Sequence, residues 1–167
     1  MRRYALLLMM MAVTGVGAQA PLPSIQRLQA SLISNFPAYV VWPSDSQQIR
    51  VGIIGPNPLG EAGTRYLEGH GYAGKSFVVQ KASRSDLKNY QILIIGDVDK
   101  KQIKQILKTV SKDPVLTIGQ NSDFLKMGGI INFHIQGNAV NFSVSTANAK
   151  QARIEIDPRL ITYGKTL

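Results

Sequence analysis

The chain has 167 residues, of which 44% are hydrophobic and 17% charged, with a formal net charge of +9 and no cysteine. This length and balance predict one folded domain with a hydrophobic core and exclude an intrinsically disordered chain. A sequence without cysteine excludes disulfides, thiol catalysis and metal sites with thiolate ligands.

Residues 1–18 have the pattern of a secretory signal peptide. Arg2 and Arg3 precede an almost continuous apolar run from Tyr4 to Val16, and small residues follow. We expect export through the Sec pathway and cleavage after Ala18, with an uncleaved anchor as the alternative. An exported chain does not meet chromosomal DNA, so we expect no nucleic-acid partner. The net charge of +7 that remains without the two arginines serves solubility or attracts an anionic surface or ligand.

The first predicted element of the mature chain is a helix from Ser24 to Phe36. Ser24 is a favourable N-terminal cap, and apolar residues recur at helical spacing from Ile25 onward. Pro37 disfavours helical geometry at the residue before it, so the helix should end or kink at Phe36.

Strands and helices alternate through the next part of the chain. Short β-branched runs predict buried strands, and apolar residues three and four positions apart predict helices between them. Asp97 is the expected cap of the second of these helices. The predicted strands are Ile49–Ile54, Ser76–Gln80, Gln91–Ile95 and Pro114–Ile118, and the predicted helices are Leu59–Glu68 and Asp99–Ser111. Such alternation is typical of a parallel sheet covered by helices on both faces.

The pattern then changes to that of a β-hairpin, followed by short helices at Ala147–Ala152 and Pro158–Tyr163. A two-residue turn at Gly137 and Asn138 would pair Phe133 with Phe142 and His134 with Asn141. One face would then be apolar (Ile131, Phe133, Ile135, Val140, Phe142 and Val144) and the other polar (Asn132, His134, Asn141 and Ser143). The predicted fold class is α/β: a single domain over residues 24–165, with a mostly parallel sheet flanked by helices and extended by an antiparallel C-terminal hairpin.

The segment Gly55–Gly60 has the glycine spacing of a phosphate-binding loop without its chemistry. Glu61 and Ala62 stand where lysine and serine or threonine are required, and two prolines remove backbone donors. We interpret the segment as a strand-to-helix turn, with the glycines at 60 and 63 allowing close helix packing. Because ligands of such sheets bind at the carboxyl ends of strands, Asn57 and Gly96 are the candidate ligand-binding residues.

No residue pattern indicates catalysis. Neither His70 nor His134 has a histidine or carboxylate nearby in a ligand or triad pattern, and neither Ser122 nor Ser143 lies in a nucleophile motif. We expect both histidines at the surface. The sequence predicts a protein that is not an enzyme, with no catalytic residue, no cofactor and no metal site.

Three aromatic residues, Phe36, Tyr39 and Trp42, recur at every third position after the first helix. Such residues pack in the core or anchor a binding partner. We take these three, together with Asn132 and His134 on the polar hairpin face, as the candidate partner-binding residues.

Three stretches occur in a characteristic order: LQASLISNFPAYVVWP, VGIIGPNPLG and the long segment from PVLTIG to DPRLI. Within them lie Asn35-Phe36, Trp42-Pro43, Pro58-Leu59-Gly60, Leu116-Thr117-Ile118, Phe124, Gly128-Gly129 and Ile131-Asn132-Phe133. This ordered set resembles the YfiR family of periplasmic proteins over about residues 25 to 163. The chain departs from the family pattern at Pro37 (usually alanine), Gly52 (often cysteine), Ser145 (usually asparagine) and Arg153 (usually glycine).

The resemblance implies an α/β fold, a periplasmic location and a non-enzymatic regulatory role in cyclic di-GMP signalling. It implies, as partner, the periplasmic domain of a membrane-bound diguanylate cyclase or sensor kinase, which the protein would repress or tune. The protein would then contact the membrane only through this partner. A homodimer is a further possible assembly. The alternative is a periplasmic small-molecule-binding protein with a pocket near Asn57 and Gly96.

Overall fold

A seven-stranded sheet dominates residues 24–166, the part of the chain that the computed structural model describes. The predicted signal peptide, residues 1–18, lies outside the described residues. The strands of this sheet are β2 (Gln48–Ile54), β3 (Gly71–Tyr72), β4 (Lys75–Lys81), β5 (Ile92–Ile95), β6 (Leu116–Gly119), β7 (Ile131–Gln136) and β8 (Ala139–Val144). A separate small sheet consists of β1 (Val40–Val41) and β9 (Glu155–Ile156). The helices are α1 (Ile25–Asn35), α2 (Gly60–Glu68), α3 (Lys100–Val110), α4 (Thr146–Gln151) and α5 (Pro158–Thr166).

The strand order across the large sheet is β3-β4-β2-β5-β6-β7-β8. All neighbours from β4 to β7 are parallel, and β3 and β8 run antiparallel at the two edges. The predicted α/β fold class is therefore confirmed. Within the C-terminal hairpin only β8 is antiparallel to the rest, because β7 runs parallel to β6.

The C-terminal hairpin has the predicted register, with Phe133 opposite Phe142 and a positive φ of 57° at Gly137. The prediction that its two faces differ along their whole length is wrong. Asn132 is buried at the base of the hairpin, whereas Ile135 near the tip is 43% exposed. The reason is that β7 pairs with β6 only at Ile131 and Asn132, so the base lies inside the sheet and the tip extends beyond it.

Helix α1 begins and ends as predicted. The Ser24 hydroxyl accepts a hydrogen bond from the Arg27 backbone N–H at 3.3 Å, which caps the first turn. The α-helix ends at Asn35, and a single 3-10 turn over Phe36–Ala38 follows, as expected before Pro37.

The predicted cap of α3 is wrong. Asp99, not Asp97, occupies the capping position, and its carboxylate accepts a hydrogen bond from the Gln102 backbone N–H at 2.8 Å. The helix begins at Lys100, one residue later than predicted, which moves the cap by two positions. Asp97 is left exposed at the end of β5.

The two faces of the large sheet are covered by different helices. Helix α1 and α5 contribute Ile33 and Leu160 to one apolar cluster, and α3 contributes Ile106 to the other. On the first face α1 and α2 approach closely, since a Cβ on Gly63 would lie 2.7 Å from the Gln26 backbone oxygen. The predicted role of Gly63 in helix packing is thereby confirmed.

Candidate functional site

A cavity of about 490 Å³ opens at the carboxyl ends of β2, β5 and β6. Its walls come from the first half of α1, the β2–α2 turn, the β5–α3 turn and the segment that follows β6. Asn57 and Gly96 both line it. The fold thus brings the two predicted ligand-binding residues together, and their binding role stays a prediction.

The polar groups of Asn57 and Gly96 are already used within the protein. The Asn57 side chain accepts from the Leu59 N–H at 2.9 Å and donates to the Thr64 hydroxyl at 3.0 Å. The Gly96 N–H donates to the Ile54 carbonyl at 2.9 Å, and a Cβ on Gly96 would lie only 1.9 Å from the Pro56 oxygen. These two residues therefore shape the wall of the cavity rather than offer it hydrogen-bonding groups.

A polar residue that the sequence analysis missed, Gln29 of α1, also lines the cavity. It is 1% exposed, and its Nε2 has no hydrogen-bond partner among the described residues. Gln29 lies one turn from Ile25 and one turn from Ile33, within the apolar stripe of α1. A glutamine in the middle of that stripe was the signal that could have identified it.

A second candidate site is a surface group that we call the tyrosine cluster: Tyr39, Arg159 and Tyr163. The rings of Tyr39 and Tyr163 meet edge to face with centroids 5.7 Å apart, and the Arg159 guanidinium lies 5.6 Å from the Tyr39 centroid. Tyr163 is 50% exposed. Tyr39 was predicted as a partner contact, whereas its two neighbours on α5 were not predicted.

Asp157 holds the guanidinium of the tyrosine cluster in place. Its carboxylate accepts from Arg159 Nη2 at 2.7 Å and from Nε at 3.1 Å. This bond to Arg159 holds the pKa of Asp157 below its ordinary value. Loss of solvent contact, then the hydrogen bond and charge of Tyr163, raise the pKa of Tyr39 above its ordinary value. At neutral pH the cluster therefore presents uncharged Tyr39 beside an ion pair.

Phe36 and Asn132, two of the candidate partner-binding residues, lie in the interior of the folded domain. Phe36 is 1% exposed, and its ring packs 6.2 Å from that of Phe133 and 5.3 Å from that of Phe142. Asn132 is 2% exposed because it pairs with Gly119 inside the sheet. A partner that meets the folded domain cannot touch either side chain.

The other predicted contacts, Trp42 and His134, do not adjoin each other. Trp42 is half-buried, and its indole N–H donates to the Gln91 carbonyl at 3.2 Å. His134 is exposed on the hairpin, on the opposite sheet face from Phe133 and therefore from Phe36 and α1. Their roles in partner binding stay predictions.

The two histidines lie at the surface, as predicted. His70 stacks on Tyr66 with centroids 3.8 Å apart, and His134 Nε2 lies 2.8 Å from the Ser143 hydroxyl. A serine beside a histidine is a nucleophile–base geometry, but among the described residues no carboxylate is hydrogen-bonded to His134 to orient it. Within residues 24–166, no group of three histidine, aspartate or glutamate residues could hold a metal ion.

The fold is that of a mostly parallel α/β domain with a carboxyl-edge cavity. A family model described as YfiR/HmsC-like matches residues 26–165 of the chain. The chain therefore belongs to the YfiR/HmsC-like family, which confirms the resemblance seen in the sequence. Among residues 24–166, no helix combines the length and the apolar character needed to cross a bilayer. The predicted domain boundaries, 24 and 165, stay a prediction.

Two departures from the family pattern have a visible structural context. Arg153, at a position that is usually glycine, has a φ of 59°, a left-handed conformation that favours glycine. At Gly52, often cysteine in the family, a Cβ would lie 2.7 Å from the Tyr90 ring. In this chain Tyr90 fills the space that the cysteine side chain would need.

Proposed function

We propose that this protein is a non-enzymatic periplasmic regulator that binds the periplasmic domain of a membrane-bound signalling enzyme. The enzyme is a diguanylate cyclase or a sensor kinase, which the protein represses or tunes. Membership of the YfiR/HmsC-like family supports the periplasmic regulatory role. The partner class comes from the resemblance to that family, and the surface of the domain bears on where the partner would bind.

The observation that carries the proposal is the exposed tyrosine cluster. Tyrosine and arginine are the residue types that most often dominate protein–protein binding energies, because they combine large apolar area with polar groups. Val41, two residues after Tyr39 in the chain, is a further exposed apolar residue, 61% accessible. The Arg159–Asp157 ion pair places two opposite charges beside the tyrosine rings.

The regulatory mechanism is a population shift. The protein binds the inactive conformation of the enzyme more tightly than the active one, so its presence raises the inactive fraction. Release under changed envelope conditions returns the enzyme to activity. This mechanism requires differential affinity and no chemistry on the part of the regulator.

The experiment is a pull-down with the mature protein, residues 19–167, from detergent-solubilised membranes of its own host. Mass spectrometry identifies the retained proteins. We expect enrichment of a diguanylate cyclase or a sensor kinase with a periplasmic domain. If a correctly folded bait retains neither class above background, the proposal is wrong.

A second candidate function is small-molecule binding, and the cavity lined by Gln29, Asn57 and Gly96 favours it. The two functions are compatible, since a bound ligand can be the signal for release of the partner. A thermal-shift screen tests it, because a ligand that binds the folded state raises the melting temperature.

A further inference from the structure

We propose that a lysine-rich surface of the domain docks directly on a bilayer that contains anionic phospholipids. We call this surface the basic face; it consists of Lys101, Lys104 and Lys108 on α3, Lys112 shortly after α3, Lys126 between β6 and β7, and Arg153 after α4. The inference goes beyond the proposed function and does not rest on it, since docking on lipid requires no partner protein. It differs from the expectation, drawn from the family resemblance, that the protein contacts the membrane only through its partner.

The first argument is the placement of the cations at α3. Lys101, Lys104 and Lys108 are exposed and lie three and four positions apart, so their side chains share one side of the helix. The apolar side of α3 is buried in the cluster that it forms with the sheet. At the end of the helix the Arg153 Nε donates to the Lys112 carbonyl at 3.0 Å, which holds a further guanidinium beside this row.

The second argument is that these charges are mostly uncompensated. Five of the six cations form no ion pair within residues 24–166: Lys101, Lys104, Lys108, Lys112 and Arg153. The sixth, Lys126, lies 3.8 Å from Asp123, a carboxylate that is closer to Lys100, at 2.7 Å. Cations held side by side without carboxylates repel one another, and an anionic surface relieves that repulsion.

The third argument is a groove of about 370 Å³ beside α3, between α4 and the segment that precedes β7. Lys104, Lys108 and Lys126 line it, and none of its lining residues within the described part of the chain is an aspartate or a glutamate. Hydroxyl and amide side chains, among them Ser111 and Gln151, supply neutral polar groups. The phosphate of a lipid headgroup suits this lining, because lysine binds phosphate as a point charge and needs no fixed geometry.

The composition of the basic face favours a lipid surface over an acidic protein as its partner. Protein interfaces are depleted in lysine and depend on aromatic or arginine anchors in a buried centre. The large apolar side chains exposed within residues 24–166 are Val41, Ile135 and Tyr163, and none of them belongs to α3 or α4. Clustered lysines near anionic headgroups attract a bilayer through charge alone.

The test is sedimentation of the mature protein with vesicles made of equal parts of phosphatidylglycerol and phosphatidylcholine. We expect binding at about 0.1 M salt, release at about 1 M salt, and no binding to vesicles of phosphatidylcholine alone. The variant that combines Lys101→Gln, Lys104→Gln and Lys108→Gln should bind roughly a hundredfold more weakly, since each lysine near an anionic surface contributes a factor of about five.

The matched control removes the same number of charges elsewhere on the domain. Arg27 on α1 and Arg65 on α2 lie on helices that cover the sheet face opposite α3, and Lys81 ends β4. The variant that combines Arg27→Gln, Arg65→Gln and Lys81→Gln should bind nearly as the wild type does. Circular dichroism checks that both variants fold, which we expect because all six side chains are exposed.

Lysine acetylation read by mass spectrometry maps the contact on the wild type and needs no variant. Anionic vesicles should protect Lys104 and Lys108 and leave Lys81 reactive.

Five results would overturn the inference. They are equal binding to phosphatidylcholine vesicles, full affinity in the α3 variant, an equal loss in the control variant, no protection from acetylation, or displacement of the vesicles by glycerol phosphate at the same phosphate concentration. The last result would make the groove a site for a free anion. The vesicles contain no protein, so failure of this inference and failure of the regulator proposal are separate results.

Discussion

At the scale of single residues, Gln29 and Asp157 are the side chains whose surroundings have the most direct consequences. Gln29 occupies an apolar position of α1 with an amide whose Nε2 has no partner among the described residues. Asp157 fixes Arg159 by three side-chain hydrogen bonds and also accepts from the Arg159 backbone N–H at 2.8 Å. Gln29 thus lowers the stability of the folded domain, and Asp157 fixes the position of Arg159 in the tyrosine cluster.

Gln29→Leu should raise the free energy of unfolding of the ligand-free protein by about 1 kcal/mol, because it replaces a buried unpaired amide by an apolar side chain of similar size. Denaturant unfolding followed by circular dichroism measures the change. Gln26→Leu is the matched control: Gln26 is exposed on the same helix, so its replacement should change stability by less than about 0.5 kcal/mol. A loss of stability in Gln29→Leu would mean that the Gln29 amide has a partner in the free protein.

Asp157 predicts a pH dependence with a definite sign. Its pKa is lowered in the folded state, so its ion pair stabilises the fold above the ordinary value of 3.8 and is lost as the pH falls through the lowered folded value. The difference in unfolding free energy between wild type and Asp157→Asn should therefore be present at pH 7 and fade on acidification below that ordinary value. Unfolding series at several pH values measure it. In an Arg159→Leu background the pH-dependent difference should shrink; an unchanged difference would show that Arg159 is not its cause.

At the scale of elements, α1 connects the two candidate sites. Its first half, with Ile25 and Gln29, lines the cavity, and its C-terminal end leads through Phe36 to Tyr39 of the tyrosine cluster. The helix is fixed on the sheet by its contact with α2 at Gly63. Any change in this contact is expected to disturb both sites.

Gly63→Ala should lower the free energy of unfolding by about 1–3 kcal/mol, because the added methyl group meets the Gln26 backbone. The sign is opposite to that of helix propensity, which favours alanine over glycine by about 1 kcal/mol. Thermal and denaturant unfolding check it. Ala62→Leu adds bulk on the exposed side of α2 and should leave stability within about 0.5 kcal/mol of the wild type. If Gly63→Ala and the wild type have equal free energies of unfolding, α1 can shift away from α2 without a loss of stability.

The elements also indicate which parts of the structure are readable from the sequence. β5 and the register of the hairpin were predictable because an apolar run and a Gly-Asn turn are local signals. β1 and β9 were not, since each has two residues and exists only because the fold brings Val40 opposite Ile156. The same limit applies to the tyrosine cluster: Tyr39 stood out as an aromatic residue, but its contact with Tyr163 depends on where α5 packs.

At the scale of the whole molecule, the domain presents two candidate binding sites near opposite ends of α1, the cavity and the tyrosine cluster. Neither site shares a side chain with the other. Partner binding and ligand binding can therefore be altered separately. Because the proposed partner surface is the tyrosine cluster, changes at surface residues alone test whether the partner binds there.

The most direct measurement is the membrane pull-down repeated with paired variants. Arg159→Ala combined with Tyr163→Ala removes two members of the cluster at the surface. Arg27→Ala is the matched control, because Arg27 also lies over a tyrosine ring, 5.9 Å from the centroid of Tyr66, at a different surface. We predict that wild type and Arg27→Ala retain the diguanylate cyclase or sensor kinase and that the double variant, shown to be folded, loses it. Equal retention by the double variant would contradict the assignment of this surface to the partner.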